Sequence, residues 1–365
     1  MTIPQVTMVT SCYNLTRFNS GSRSLLENIE SFDVLLSLRI YLVIYGDRTT
    51  IPILKERRDA FGLSSITIFV EKEYEELDVA QFTELVHKNR DEYWPSRDSR
   101  TCAESHLLCC NKFYFLLDAM NRNPWGHARF GWIDGNLKMP NLSNIKICED
   151  YSPELLLKAI EYTREDRFHL QVLNVVDKKY KEPQNKREFY NQYRWVMCGC
   201  FFTFGETVGR KILERLCQIF AETTVQGYGH AEEMFYLEIL DEFRDDLAIT
   251  YGDYGQIVNN WVNPTRNIHY IFHYILRGYS NKGYFEEAVH CGRQLMDAFR
   301  KYDIPRDDGM YVEIAEIVYM SYMGLDAMDQ AREFIEGFLR DCAEDPILNT
   351  IYMTRSGLAD MISSI

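Results

Sequence analysis

Phe130-Gly131-Trp132-Ile133-Asp134-Gly135-Asn136 is the stretch on which the fold turns. Aromatic and β-branched residues followed by glycine read as the end of a buried strand. Gly135 suits the sharp turn after it. Asp134 and Asn136 then stand one residue apart as hard oxygen donors at the strand's carboxyl end, the edge where ligands gather in open α/β sheets. Mg²⁺ or Mn²⁺ takes a few such oxygens together with phosphate oxygens. On these residues alone, an Asp that merely caps the strand-to-turn step reads equally well.

Upstream of this stretch, strands and helices alternate. Val6–Ser11 reads as a strand ending in the polar loop Cys12-Tyr13-Asn14, and Arg39–Tyr45 as a second strand closed by Gly46-Asp47. Ile53–Phe61 reads as a charged helix, Ser65–Val70 as a third strand and Asn111–Met120 as a helix stopped by Asn123-Pro124. Downstream, Pro153–Glu165 reads as a helix, and Asp177–Arg187 as an exposed charged loop able to close over a ligand. Arg194–Phe204 reads as a buried strand, Thr207–Ala221 as an amphipathic helix, His230 as the start of another helix and Leu247–Tyr251 as a last strand. Such alternation implies an α/β fold with a largely parallel sheet covered on both faces.

Beyond Trp261 the strand signals stop and Asn263-Pro264 breaks the chain. Four helices follow, at Ile268–Tyr279, Phe285–Tyr302, Gly309–Met323 and Met328–Cys342. Gly-Tyr-Phe-Glu-Glu-Ala at 283–288 and Ala-Met-Asp-Gln-Ala at 327–331 open the second helix of each pair in a similar way. That is weakly TPR-like. A first domain over 1–262 and an all-α region over 263–365 are therefore expected.

Composition narrows the function. The 365 residues include 54 acidic and 40 basic side chains, a formal charge of −14. A chain this acidic is a poor ligand for nucleic-acid backbone. Ten cysteines show no Cys-x-x-Cys and no zinc-finger spacing, as expected of reduced thiols. Neither a signal peptide nor an apolar stretch of spanning length is evident, so a cytoplasmic protein with no transmembrane segment is expected. The first strand lacks the Gly-x-Gly-x-x-Gly turn of a dinucleotide-dependent oxidoreductase.

The motifs, taken in order, resemble a known family. Val9-Thr10-Ser11-Cys12-Tyr13-Asn14-Leu15 follows the first strand, and a Lys-bearing helix, Asn111-Lys112-Phe113-Tyr114, precedes Trp-Ile-Asp-Gly-Asn. Then come Cys198-Gly199-Cys200-Phe201-Phe202 and His230-Ala231-Glu232-Glu233-Met234. Over residues 5–262 this order resembles a GT-A glycosyltransferase, and within that class the HtrL/YibB (WlaTC-like) group of bacterial surface-polysaccharide loci and large viruses. The resemblance implies a Rossmann-like GT-A catalytic domain that moves a sugar from a nucleotide-diphosphate donor, by preference a UDP-sugar, to a glycan or other hydroxyl acceptor. It implies that Thr10, Ser11, Tyr13 and Asn14 hold base and ribose. Asp134, Gly135 and Asn136 would stand as the Asp-x-Asp element for Mn²⁺ or Mg²⁺ and the diphosphate. Asn136 in place of a second Asp removes one negative charge, which lowers the expected metal dependence.

Glu232 and Glu233 fall where inverting members carry the carboxylate that takes the acceptor's proton, and Glu233 is the first choice. Cations must balance the leaving diphosphate. Arg17, Lys112, Arg97 and Arg100 are the candidates, Lys112 first because its helix runs into the Asp134 turn. The bland readings are a solvated Lys112 and two glutamates placed only by a helix dipole. His269 and His273 have zinc-pair spacing without the accompanying Glu, and His273 is kept as a metal ligand only because some GT-A enzymes use a late histidine. Trp125, Trp195 and Trp261 read as core, with one able to stack on an acceptor sugar. The competing class is a non-catalytic glycan- or nucleotide-binding scaffold with a degenerate site, its helical region serving a protein partner or a second copy of the chain.

Overall fold

The computed structural model describes residues 3–93, 101–135, 153–228, 232–252, 268–302, 304 and 306–354. Seven strands form one sheet in the order β3-β2-β1-β4-β6-β5-β7. They are β1 Thr7–Cys12, β2 Tyr41–Gly46, β3 Thr67–Glu71, β4 Arg129–Ile133, β5 Phe168–Val172, β6 Phe201–Gly205 and β7 Leu247–Tyr251. Strand β6 runs against both β4 and β5, and every other pairing is parallel. The expected α/β class with a mostly parallel sheet is therefore present.

Helices α1 Leu25–Ser31, α2 Asp33–Ser37, α3 Ile51–Ala60 and α6 Pro153–Glu161 cover one face of the sheet, with Ile29, Leu36, Leu54 and Leu156 fully buried beside Met8 and Leu42. Helix α4 Thr83–Tyr93 packs on α5 Ala103–Arg122, and α5 packs on α8 Glu206–Val225 over the other face. There Phe113, Leu116 and Ile212 meet Val9, Phe130 and Phe202. Strands covered on both sides read as continuous apolar runs, which is why β1, β2 and β4 were legible.

Two strands were not read correctly. β5, Phe-His-Leu-Gln-Val, is not among the expected strands: it is short and interrupted by two polar side chains, His169 and Gln171, which are nonetheless buried. The expected Arg194–Phe204 strand is shorter, with only Phe201–Gly205 in the ladder. Before it, Met197 bridges antiparallel to Val172 and Cys198 N donates to Gln171 O at 2.9 Å, so this segment runs against the carboxyl end of β5 outside the continuous ladder.

One buried cation ties the first layer together. Arg58 of α3 is fully buried, and its Nε donates to Thr67 Oγ1 at 2.8 Å. Its Nη1 donates to Leu36 O at 2.6 Å and Leu38 O at 2.7 Å, and its Nη2 to Ile40 O at 2.9 Å. Burial pushes the guanidinium down to about 10, still charged at neutral pH. Lysine has three donors that cannot spread over these four acceptors. Arg58→Lys should therefore cost about 1.5–3 kcal/mol, read as a lower urea midpoint with an unchanged slope; an unchanged midpoint would refute this role.

The remaining helices are α7 Lys186–Tyr190, α9 Tyr236–Glu242, α10 Ile268–Asn281, α11 Phe285–Lys301, α12 Asp308–Gly324, α13 Met328–Glu344 and α14 Pro346–Thr354. From α10 onward each packs on the next, and α10 also reaches α12. The boundary between the expected domains, at residues 262 and 263, lies outside the described residues. On either side of it the apolar core is continuous, with Tyr251 of β7 packed edge-on against Phe272 and Tyr279 of α10. The charged 177–187 segment follows β5, whose carboxyl end lies at the same edge of the sheet as that of β4. It forms two 3₁₀ turns and opens α7, and Lys282 holds it to the helical region through Asp177 at 3.2 Å and Val175 O at 2.6 Å.

Candidate functional site

Parallel pairing of β1 with β4 sets Val9 beside Trp132, so the loop after β1 and the turn after β4 leave the same edge of the sheet. Asp134 N donates to Cys200 O at 2.8 Å, and Trp132 Nε1 donates to Asp134 Oδ1 at 2.5 Å. These bonds fix the carboxylate while 40% of its side-chain surface stays open. Gly135 does not adopt positive φ. It is required for space, because a Cβ there would enter the Phe32 ring.

Lys112 converges on Asp134 from α5. Its Nζ lies 3.9 Å from Asp134 Oδ1, donates to Gly199 O at 2.8 Å, pairs with Glu232 Oε1, and sits 5.2 Å from the centre of the Trp132 ring. Lys112 and Glu232 are both almost wholly buried. The reading of Lys112 as a solvated helix residue is thereby excluded. Burial lowers its proton affinity, but Glu232 and Asp134 more than offset this and hold the ammonium well above its usual range. Burial raises the carboxyls of Glu232 and Asp134, and in each case Lys112 pulls the other way.

Glu232 and Glu233 lie in a 3₁₀ turn, Glu232–Met234, ahead of α9 rather than on the first turn of a long helix. A helix dipole therefore does not account for them, and their partners do. Glu233 Oε2 accepts from Tyr193 OH at 2.5 Å, and its Oε1 accepts from Gly199 N at 3.4 Å. Burial, then Glu233, keeps the Tyr193 phenol protonated and hence a donor. Gly199 thus serves Glu233 and Lys112 through its backbone N–H and carbonyl. A Cβ there would run into Glu232 Oε1, which accounts for the glycine between Cys198 and Cys200. Tyr193 is the residue that sequence reasoning missed; its only signal was proximity to the Cys-Gly-Cys turn.

The other candidates divide. At the end of β1 and in the loop after it, Thr10 and Tyr13 are buried, while Ser11 and Asn14 are half-buried. Asn14 N donates at 2.7 Å to Asp47 Oδ2 at the end of β2. Burial alone would raise the Asp47 carboxyl, but bonds from Thr49, Asn14 and Thr50 hold it below the usual carboxylate range. Arg17 is exposed and paired with Glu75 at 3.2 Å. His273 faces Glu313 of α12 at 3.3 Å, with Arg277 on the same carboxylate. The helices meet the sheet at β7, three strand positions from β4, or about 14 Å at ordinary spacing. His273 therefore belongs to the helical packing and does not join Asp134. Asn136, His230, Arg97 and Arg100 lie outside the described residues.

The cluster sets three carboxylates against one ammonium. A diphosphate brought to Asp134 needs further positive charge, and the donors here are hard oxygens of the kind Mg²⁺ and Mn²⁺ prefer. Among the described residues no three His, Cys, Asp or Glu side chains converge as a complete metal cage. One carboxylate with phosphate and water oxygens is a usual Mg²⁺ arrangement, and the open Asp134 side chain fits it.

No protein-family model and no curated protein matches the sequence. The narrower placement in the HtrL/YibB group thus has no support beyond motif order. Among solved structures, the chain is similar to mouse xyloside xylosyltransferase 1 in its apo form, at 12% identity over 67% of this chain and 84% of that one, with a TM-score of 0.34. So loose a superposition carries no argument about chemistry, and the functional reading rests on the site itself. Among the described residues no helix is long and apolar enough to cross a membrane.

Proposed function

We propose that the protein is a glycosyltransferase that moves a sugar from a nucleotide-diphosphate donor, by preference a UDP-sugar, to a hydroxyl of a glycan acceptor. The observation that carries this reading is the convergence of Asp134, Lys112, Glu232 and Glu233, from three separate stretches of chain, at the carboxyl edge of a mostly parallel sheet. Asp134 is the residue to hold Mn²⁺ or Mg²⁺, and such an ion offsets the charge that builds on a leaving diphosphate. Lys112 holds Glu232 and the Gly199 carbonyl in place and adds positive potential beside Asp134. Ser11 and Asn14 are the half-buried groups for ribose and base.

The two glutamates take different parts. Glu232 is the internal counter-ion of Lys112. Glu233 lies on the side of Tyr193, whose bond to it is only partly buried, and it is the carboxylate to accept the acceptor's proton as the hydroxyl attacks. Tyr193 OH orients it.

The test is thermal unfolding with UDP and UDP-sugars, with and without Mn²⁺. A native-state ligand at a hundred times its Kd adds about 2.7 kcal/mol. Wild type should show a Mn²⁺-dependent rise in Tm, and Asp134→Ala should lose it while keeping the unliganded Tm within a few degrees. A variant stabilised as strongly as wild type would place the nucleotide elsewhere.

A further inference from the structure

Among the described residues, Trp195 is the largest apolar side chain near the cluster that remains open, with 51% of its surface exposed. Single exposed apolar residues are ordinary, but this one is built into the site. Its ring packs edge to face on Tyr193, with centroids 5.1 Å apart and planes at 80°. The hydroxyl of that same Tyr193 donates to Glu233. Four residues beyond Trp195, Gly199 supplies the backbone N–H and carbonyl that Glu233 and Lys112 use. Along this chain of contacts the indole lies no more than about 10 Å from the Glu233 carboxylate. Beside it, Arg194 donates to Gln192 Oε1 at 3.0 Å, which leaves the Gln192 amide NH₂ as a donor.

We infer that Trp195 and Gln192 form the subsite for a neutral pyranose ring of the acceptor glycan, deepening the glycosyltransferase reading on which this inference rests. A pyranose presents an apolar face of C–H groups and a rim of hydroxyls. An exposed indole braced by a second ring offers a preordered surface for the first, and an amide donor suits the second. The buried carboxylates of the adjoining cluster oppose an anionic sugar here, and the Arg194 guanidinium beside Gln192 is turned to the Tyr180 hydroxyl and lies over the Tyr180 ring. Tyr193 then links acceptor and base, since the ring that braces the indole also orients Glu233.

The experiment uses the full chain on a printed array of neutral and acidic oligosaccharides, as wild type, Trp195→Ala and Trp195→Phe. Wild type should bind neutral oligosaccharides. The Ala variant should lose about tenfold or more in apparent affinity, and the Phe variant should keep most of it. UDP and Mn²⁺ should raise the Tm of all three proteins equally, which shows that the variants fold and that donor binding is separate. Equal glycan binding by wild type and the Ala variant overturns the subsite, as does a wild type that captures only acidic glycans or none. Absence of the UDP and Mn²⁺ shift in wild type would instead count against the donor reading and leave the array result to stand by itself.

Discussion

Lys112→Met should cost the fold about 3–5 kcal/mol at pH 7.5, because it strands Glu232 in the interior without its counter-ion. Methionine nearly matches the volume of the lysine stem, so the loss is electrostatic rather than a cavity. Lys112 is 4% exposed and Glu232 5% by side chain, so solvent does little to screen the unpaired charge. The cost should depend on pH in a defined direction. Burial already raises the Glu232 carboxyl above its unfolded value, and without Lys112 nothing strong opposes that rise. Between the unfolded and the folded pKa the native state holds the extra proton, so stability falls as pH rises through this window. The difference between wild type and variant should therefore be largest at and above neutrality and shrink as pH falls and Glu232 protonates. Urea unfolding at pH 7.5 and pH 5 measures both points. A variant within 1 kcal/mol of wild type at both would mean that the pair is not the buried keystone described here.

Glu233→Gln should lower sugar transfer by about 10²-fold or more, with UDP and Mn²⁺ binding kept. The amide preserves size and can still accept from Tyr193, but it cannot take a proton. Glu232→Gln should behave differently, since it removes the partner of Lys112; its first effect should be on stability. Comparing the two separates base from counter-ion, although they are adjacent in sequence. Transfer by Glu233→Gln at near-normal rate would assign the base to another group.

What the sequence made legible follows from where each determinant lies. The strand edges and the Asp134 turn depend on local runs of residues, and β1, β2, β3, β4 and β7 fall close to where those runs place them. The class of the chain and its helical tail were readable for the same reason. The role of Lys112 was not, because a lysine is buried only if a carboxylate meets it, and Glu232 lies 120 positions away. Tyr193 was missed because the 194–204 stretch reads as one strand, whereas Gly199 gives its backbone groups to Lys112 and Glu233 and the ladder starts only at Phe201. Arg17 entered as a candidate cation for the diphosphate and His273 by analogy with a late histidine in some GT-A enzymes, and in the fold they meet Glu75 and Glu313.

The most direct measurement is a crystal structure of the protein with UDP and Mn²⁺. The diphosphate should lie beside Asp134 at the carboxyl end of β4, the nucleoside over Ser11 and Asn14, with Lys112 still paired with Glu232. A nucleotide seated in the roughly 650 Å³ cavity between β7 and α11, lined by Arg244, Tyr251, His290 and Lys301, would contradict it.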